Sequence, residues 1–144
     1  MATPQAHESD RRVLVDGRPA RVLVVDDDEL TTKQFSEMLR LEGFEALTAH
    51  DATDGLRKAV EGRPDAIVLD LRMPLVDGVG LLEQLRGTSE VHETPVVIIT
   101  GDYLLDDSLV ERMRTLGAEV RFKPFWLDDF ITMVRTLLRL PPTR

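Results

Sequence analysis

Residues 22–29 read VLVVDDDE, a run of β-branched and aliphatic residues that ends in four acids. Residues 66–70 read AIVLD, and further apolar runs occupy 44–49, 96–100 and, more weakly, 119–122. Apolar runs without polar alternation are typical of strands that are buried on both faces of a parallel sheet. The sequence therefore predicts five short strands, two of which are followed directly by aspartate.

The segments between and after these runs have the period of amphipathic helices, with apolar residues three and four positions apart. Four of the helical stretches are followed by glycine, the residue that a left-handed helix C-cap favours: Gly43, Gly62, Gly87 and Gly117. Strands that alternate with helices in this way indicate an α/β fold, in which helices cover a parallel sheet.

Length and composition exclude several classes of protein. The chain has 144 residues, of which 42% are hydrophobic and 31% are charged, as expected for one globular domain. We find no apolar run of the roughly 20 residues that a membrane-spanning helix needs, and no signal peptide in the polar N-terminus, so we predict a cytoplasmic protein without membrane association. The absence of cysteine excludes disulfides and thiolate zinc sites, and the net charge of −8 argues against direct nucleic-acid binding.

The predicted domain covers residues 20–140. Residues 1–19 form an N-terminal extension, which we expect to be partly flexible, with a short extra strand at 13–15 before the turn-forming Asp16 and Gly17. Residues 141–144 begin with two prolines, which end the last helix and form a tail or the start of a linker. Whether the chain is a complete protein or part of a longer one stays open.

Polar residues follow the predicted strands at the sheet edge where open α/β sheets bind ligands. Asp26 and Asp27 follow the first strand, Asp70 follows the third, Thr100 ends the fourth and Lys123 follows the fifth. Carboxylates that converge at one edge repel one another unless a cation neutralises them, and oxygen ligands of this kind suit Mg²⁺. The pattern predicts a divalent-metal site.

Each of these residues also has a purely structural interpretation. We interpret Asp28 and Glu29 as acids that start a helix, where they cap free N–H groups and face the positive end of the helix dipole. Helix capping is the alternative for the aspartates, including Asp70. Lys123 could be an ordinary solvated lysine and Thr100 an ordinary β-branched strand residue.

Carboxylates, one lysine and one hydroxyl at a single sheet edge suit phosphoryl chemistry. The lysine and the hydroxyl neutralise phosphoryl oxygens, and Mg²⁺ bridges the phosphoryl group to the carboxylate that attacks it. The predicted product is an aspartyl phosphate on Asp70.

Between about residues 21 and 140, the sequence resembles the receiver domain of two-component response regulators, of the chemotaxis-regulator type. The matching segments are VLVVDDD at 22–28, PDAIVLDLRMP at 64–74 with DG at 77–78, PVVIITG at 95–101 and KPF at 123–125. The four segments occur in the family's order and at its spacing. The resemblance implies a flavodoxin-like, doubly wound sheet of five parallel strands in the order 2-1-3-4-5.

The resemblance also implies a phosphorylation-activated signalling switch. Asp70 is expected to accept a phosphoryl group from a histidine kinase or a histidine phosphotransfer protein. Thr100 is expected to hydrogen-bond that group, Lys123 to pair with it, and the Lys123-Pro124 peptide to be cis. The domain is then no enzyme toward an external substrate, because it catalyses only its own phosphorylation and dephosphorylation and acts by changing how it binds a downstream protein.

For the metal, the resemblance implies that Asp27 and Asp70 bind Mg²⁺ directly, together with the backbone carbonyl of Arg72. Asp26 is expected to act chiefly through water. A charge pair between Arg72 and Asp102 across the mouth of the pocket is a further hypothesis, in which the pair obstructs the water that hydrolyses the aspartyl phosphate.

Two departures from the family pattern bear on output. Val120 stands three residues before the lysine, where receivers commonly carry Tyr or Phe. The acidic pair that one dimerising subfamily has before the lysine is here Glu119 and Val120. A homodimer through the last two helices is open by resemblance only.

Two alternative functions remain. A Mg²⁺-dependent phosphohydrolase would share the acids and the lysine, but it would need an acid two residues after the nucleophile, where Arg72 stands. A phosphorylation-independent scaffold would carry the same fold with a vestigial pocket.

Overall fold

The computed structural model of the protein describes residues 12–70, 75–101, 107–123 and 127–140, with only the backbone described for 75–77 and 127–128. The seven strands in this part of the chain are β1 Leu14–Val15, β2 Arg18–Pro19, β3 Arg21–Val25, β4 Glu45–Ala49, β5 Ala66–Asp70, β6 Val96–Thr100 and β7 Ala118–Phe122. The five helices are α1 Glu29–Leu41, α2 Ala52–Gly62, α3 Leu75–Arg86, α4 Asp107–Thr115 and α5 Leu127–Leu137.

The main sheet has five parallel strands in the order β4-β3-β5-β6-β7. When its strands alone are numbered along the chain, the order is 2-1-3-4-5, which confirms the predicted topology. Every residue of the two strands β5 and β6 is buried, as the uninterrupted apolar runs predict. The carboxyl ends of all five strands therefore meet at one edge.

Helices cover both faces of the sheet. Apolar residues of α1 and α5 form one core with the strands, and in it the rings of Phe35 and Phe130 stack with their centroids 4.4 Å apart. Apolar residues of α2, α3 and α4 form the second core on the opposite face. The helical periodicity of the sequence is thus explained by packing against the sheet.

A short hairpin precedes the main sheet. Strands β1 and β2 pair antiparallel across Asp16 and Gly17, both of which have positive φ, as a two-residue hairpin turn requires. Arg18 donates two hydrogen bonds to Asp65, with Nη1–Oδ2 2.9 Å and Nη2–Oδ1 2.6 Å. The structure thus has a strand where the sequence predicts an extra one, and it adds a partner strand. Residues 1–11 and 141–144, assigned to tails, lie outside the described residues.

The glycine pattern is confirmed at two helix ends and is wrong at two. Gly43 and Gly117 adopt positive φ, whereas Gly62 and Gly87 do not. Gly62 is the last residue of α2, and Arg63 adopts the left-handed cap conformation in its place, with φ 46°. A Cβ at position 62 would lie 2.5 Å from Leu47 Cδ1, so the end of the Leu47 side chain would have to shift to admit one.

One surface carboxylate of α2 has a shifted pKa. Burial alone would raise the pKa of Asp54, but hydrogen bonds and charge from Arg57 and Lys58 outweigh it and hold the pKa below its ordinary value of 3.8. The three side chains lie on one face of α2, three and four residues apart.

Candidate functional site

The carboxyl edge of the sheet brings together four of the residues that the sequence singles out. Asp70 and Thr100 are the last residues of β5 and β6, while Asp26 and Lys123 directly follow β3 and β7. Strand register aligns them, because Val25 pairs with Leu69 and the four strands run in parallel. The side chains of Asp26, Asp70 and Thr100 are buried.

Asp70 is held by one cation. Lys123 Nζ donates to Asp70 Oδ1 at 2.8 Å, while the second oxygen of Asp70, Oδ2, is buried and accepts no hydrogen bond from any residue that the structure describes. The backbone N–H of Lys123 donates to the carbonyl of Thr100 at 2.8 Å, which fixes the start of the lysine side chain beside β6. Lys123 is therefore not an ordinary solvated lysine.

Asp26 is oriented by the backbone after it. Its Oδ1 accepts the N–H of Asp28 at 3.0 Å, and its own N–H donates to the carbonyl of Ala49 at 3.1 Å. Asp27, by contrast, is exposed. One of the two adjacent aspartates is thus buried at this edge of the sheet and the other is exposed.

Asp28 caps α1. Its Oδ1 accepts the N–H of Leu30 at 3.3 Å and its Oδ2 accepts the hydroxyl of Thr31 at 2.6 Å. Glu29 lies in the first turn of the same helix. The structural interpretation of these two acids is confirmed, and it explains why a run of acids longer than the pocket needs occurs at this position.

The expected metal ligands are only partly within the described residues. Between residues 12 and 140, outside the gaps, no three His, Asp or Glu side chains lie close enough to form a metal site on their own. Arg72, Asp102 and Pro124 lie outside the described residues, and with them the expected carbonyl ligand, the expected charge pair and the expected cis peptide. The donor chemistry nevertheless fits Mg²⁺, because Asp70 Oδ2 is a buried carboxylate oxygen that no described donor satisfies. The magnesium site stays a prediction.

Val120 is buried in the core formed with α2, α3 and α4, where it pairs in register with Ile98. Position 120 thus holds a small, fully packed side chain in place of a ring. Phe122, the register partner of Thr100, is 38% exposed. The aromatic residue nearest to Thr100 in the described part of β7 therefore lies on the surface.

Sequence reasoning missed two features of this edge. The hydrogen bond from the Asp28 N–H to Asp26 forms an Asx turn, and an aspartate two residues before the donor is a local signal that could have indicated it. Leu30, in the first turn of α1 next to the acids, is 62% exposed. An apolar residue in the first helical turn after a run of acids is a signal that could have marked it as part of this edge.

A doubly wound parallel sheet with a buried aspartate, a threonine and a lysine at its carboxyl edge defines the class of flavodoxin-like receiver domains. The sequence model of the response regulator receiver domain matches residues 22–135. The chain belongs to that family, and it is a receiver domain of two-component signalling.

Two relatives are transcription or response regulators of mycobacteria. The transcriptional regulatory protein PrrA of Mycobacterium tuberculosis is 41% identical over 119 residues, which cover 83% of this chain and 50% of the relative. The response regulator MprA of the same species is 37% identical over 122 residues, again 83% of this chain and 50% of the relative. The chain thus spans about half the length of these relatives.

Solved structures agree with this assignment. The chemotaxis protein CheY4 of Vibrio cholerae matches with a TM-score of 0.73 and 28% identity, covering 82% of this chain and 98% of CheY4. The beryllofluoride-activated NtrC4 receiver domain dimer matches with a TM-score of 0.70 and 31% identity, covering 83% of this chain and 96% of that one. In the described part of the chain, no helix is long and apolar enough to cross a membrane.

Proposed function

We propose that Asp70 is the phosphoacceptor of this receiver and that its phosphorylation, supported by Mg²⁺, changes how the domain binds a downstream protein. The observation that carries the proposal is the state of the Asp70 carboxylate. It is fully buried, one oxygen lies 2.8 Å from the Lys123 ammonium, and the other accepts no hydrogen bond from the described residues. A carboxylate held by a single cation keeps one oxygen available to attack an electrophile.

The transfer forms one bond and breaks one. A carboxylate oxygen of Asp70 attacks the phosphorus of a phosphohistidine in the donor protein. The O–P bond forms as the P–N bond breaks, the bonding electrons stay on the imidazole nitrogen, and the imidazole takes up a proton. Loss of the group follows when water attacks the phosphorus and the O–P bond breaks, which releases inorganic phosphate and restores the carboxylate.

Lys123 and Thr100 supply the neutralising groups. The Lys123 ammonium already faces Asp70 and stabilises the negative charge that gathers on the phosphoryl oxygens. The hydroxyl of Thr100 belongs to the buried last residue of β6, next to Asp70 in the sheet, and donates to a phosphoryl oxygen.

The carboxylates Asp26, Asp27 and Asp70, with the backbone carbonyl of Arg72, would hold Mg²⁺. When bound, the ion supplies positive charge between the acids and the phosphoryl oxygens. Asp26 contributes a buried carboxylate whose Oδ1 is fixed by the Asp28 N–H, so its orientation does not depend on the ion.

The partners are proteins. The donor is a histidine kinase or a histidine phosphotransfer protein, which must reach the carboxyl edge of the sheet. PrrA is named a transcriptional regulatory protein, and the NtrC4 receiver forms a dimer in its activated state. By analogy, phosphorylation of this receiver changes its contacts with other proteins and so controls a regulator. Formation of a homodimer is one form of this change.

The intact mass of the protein after incubation with acetyl phosphate tests the proposal. We expect one phosphoryl adduct that requires Mg²⁺, that Asp70→Asn abolishes, and that the control Asp51→Asn retains, because Asp51 only caps α2. An adduct on Asp70→Asn would refute the assignment of the acceptor. If neither acetyl phosphate nor a phosphorylated histidine phosphotransfer domain gives an adduct, while Asp70→Asn binds partners normally, the scaffold function replaces this one.

A further inference from the structure

The strand β4 lies at one edge of the main sheet, and the backbone N–H and C=O groups of its alternate residues point away from the neighbouring strand β3. The N–H of Glu45 donates to the carbonyl of Ala20, and the carbonyl of Ala49 accepts the N–H of Asp26. Residues 45, 47 and 49 therefore direct their backbone groups toward β3. The backbone groups of Ala46 and Thr48 point outward, in the direction from which another strand would approach.

Two cationic side chains donate hydrogen bonds to the outward-facing carbonyls of β4. Arg40 Nη2 donates to the carbonyl of Ala46 at 3.4 Å, and Lys58 Nζ donates to the carbonyl of Thr48. Arg40 belongs to α1 and Lys58 to α2, so one cation reaches the edge from each face of the sheet. Lys58 is held in place by Asp54 at 3.2 Å.

We propose that Arg40 and Lys58 close the β4 edge against pairing with the β4 strand of a second copy of this chain. An identical strand is the partner that this edge fits, because two copies of β4 can pair antiparallel about a two-fold axis through Leu47, with the outward groups of Ala46 and Thr48 from each copy facing those of the other.

The cations oppose this pairing in two ways. Each must leave its carbonyl before a strand N–H can take the bond, and a two-fold interface would place two copies of Arg40 and two of Lys58 side by side. Charged residues on edge strands and near them prevent pairing between chains in other sheet proteins by the same physics. A dimer of this receiver must then form elsewhere on its surface.

The test replaces both donors and keeps their apolar stems, in Arg40→Met with Lys58→Met. Lys33→Met with Arg57→Met is the matched control, since it removes the same charge from the same two helices at exposed positions, and Arg57 pairs with Asp54 and Glu61 on its own helix. Light scattering after gel filtration, from micromolar to submillimolar protein, measures association. We expect a dimer dissociation constant at least about tenfold lower for the first variant than for the control.

Amide hydrogen exchange identifies the surface that associates. The N–H groups of Ala46 and Thr48 point outward, so β4 pairing must slow their exchange as the protein concentration rises. The conservative variant Arg40→Lys with Lys58→Arg keeps both donors and should remain monomeric. If Arg40→Met with Lys58→Met fails to fold, Lys58→Met alone is measured in the same way against Arg57→Met.

Three results would overturn the proposal. The first is that Arg40→Met with Lys58→Met stays as monomeric as the control. The second is that this variant associates without slower exchange at Ala46 and Thr48. The third is that the control or the conservative variant associates to the same extent.

Discussion

Replacing Lys123 by Met removes the only described hydrogen bond to the Asp70 side chain while a linear side chain of similar length remains. Asp70 is fully buried, and the change leaves its carboxylate without a compensating charge. Removing one partner of a buried pair typically costs about 3–5 kcal/mol. Because Lys123 is 27% exposed, water screens part of this cost. We expect Lys123→Met to lower the free energy of unfolding by about 2–3 kcal/mol without Mg²⁺.

Urea denaturation with a chelator present, followed by circular dichroism, measures this loss. In thermal unfolding, the same loss corresponds to a Tm lower by roughly 6–9 °C for a domain of this size. The double variant Asp70→Asn with Lys123→Met carries no buried charge at this position, so we expect it to regain at least half of the lost stability. Lys33→Met, an exposed lysine on α1, is the control for loss of one positive charge.

The reasoning fails if Lys123→Met costs less than about 1 kcal/mol, because Asp70 would then find compensation that the described contacts do not contain. It also fails if the double variant is as unstable as the single one. In that case the apolar contacts of the lysine stem, rather than its charge, would hold this edge of the sheet together.

Two further predictions concern carboxylates outside the site. Asp65→Ala should lower the free energy of unfolding by about 1 kcal/mol in urea denaturation, since it removes the acceptor of the partly buried Arg21 N–H, while water re-solvates the half-exposed Arg18 guanidinium. Asp65→Asn should lose less, and equal losses would contradict the charge argument. Asp54→Asn tests the lowered pKa of Asp54. The ionised Asp54 stabilises the fold above its ordinary pKa of 3.8, and this stabilisation is lost as the pH falls through the lower folded pKa. The urea midpoint of the wild type should therefore fall more steeply than that of the variant below about pH 4. Parallel pH profiles would contradict it.

Much of the fold could be predicted from sequence because its strands are buried on both faces. The predicted runs at 22–25, 66–69 and 96–100 differ from the observed strands by no more than one residue at either end. The run at 44–49 begins one residue early, because the N–H of Phe44 donates to the carbonyl of Leu39 and so closes α1 instead of joining the sheet. Such a choice depends on helix-end geometry, which hydrophobic pattern does not encode.

Long-range pairs escape this kind of prediction. The hairpin turn at Asp16 and Gly17 has a clear local signal, but the two hydrogen bonds from Arg18 join residues 47 positions apart. The candidate site is partly predictable, since the residue types at the strand ends predict which groups converge. The structure adds which of them are buried: Asp26 is buried, whereas Asp27, its neighbour in sequence, is exposed.

The two aspartates that bracket β5 show how one residue type acquires two roles. Asp65, just before the strand, is nearly saturated: it accepts two bonds from Arg18 and one from the Arg21 N–H. Asp70, at the other end, is more deeply buried but accepts a bond only from Lys123 among the described residues. A saturated carboxylate has no oxygen left for chemistry, and its removal costs stability. Burial of a carboxylate with too few donors lowers the stability of the fold. This cost is offset only when a cation or a phosphoryl group completes the surroundings of the carboxylate. The number of donors at each end of the strand, rather than the aspartate itself, therefore separates the structural acid from the proposed phosphoacceptor.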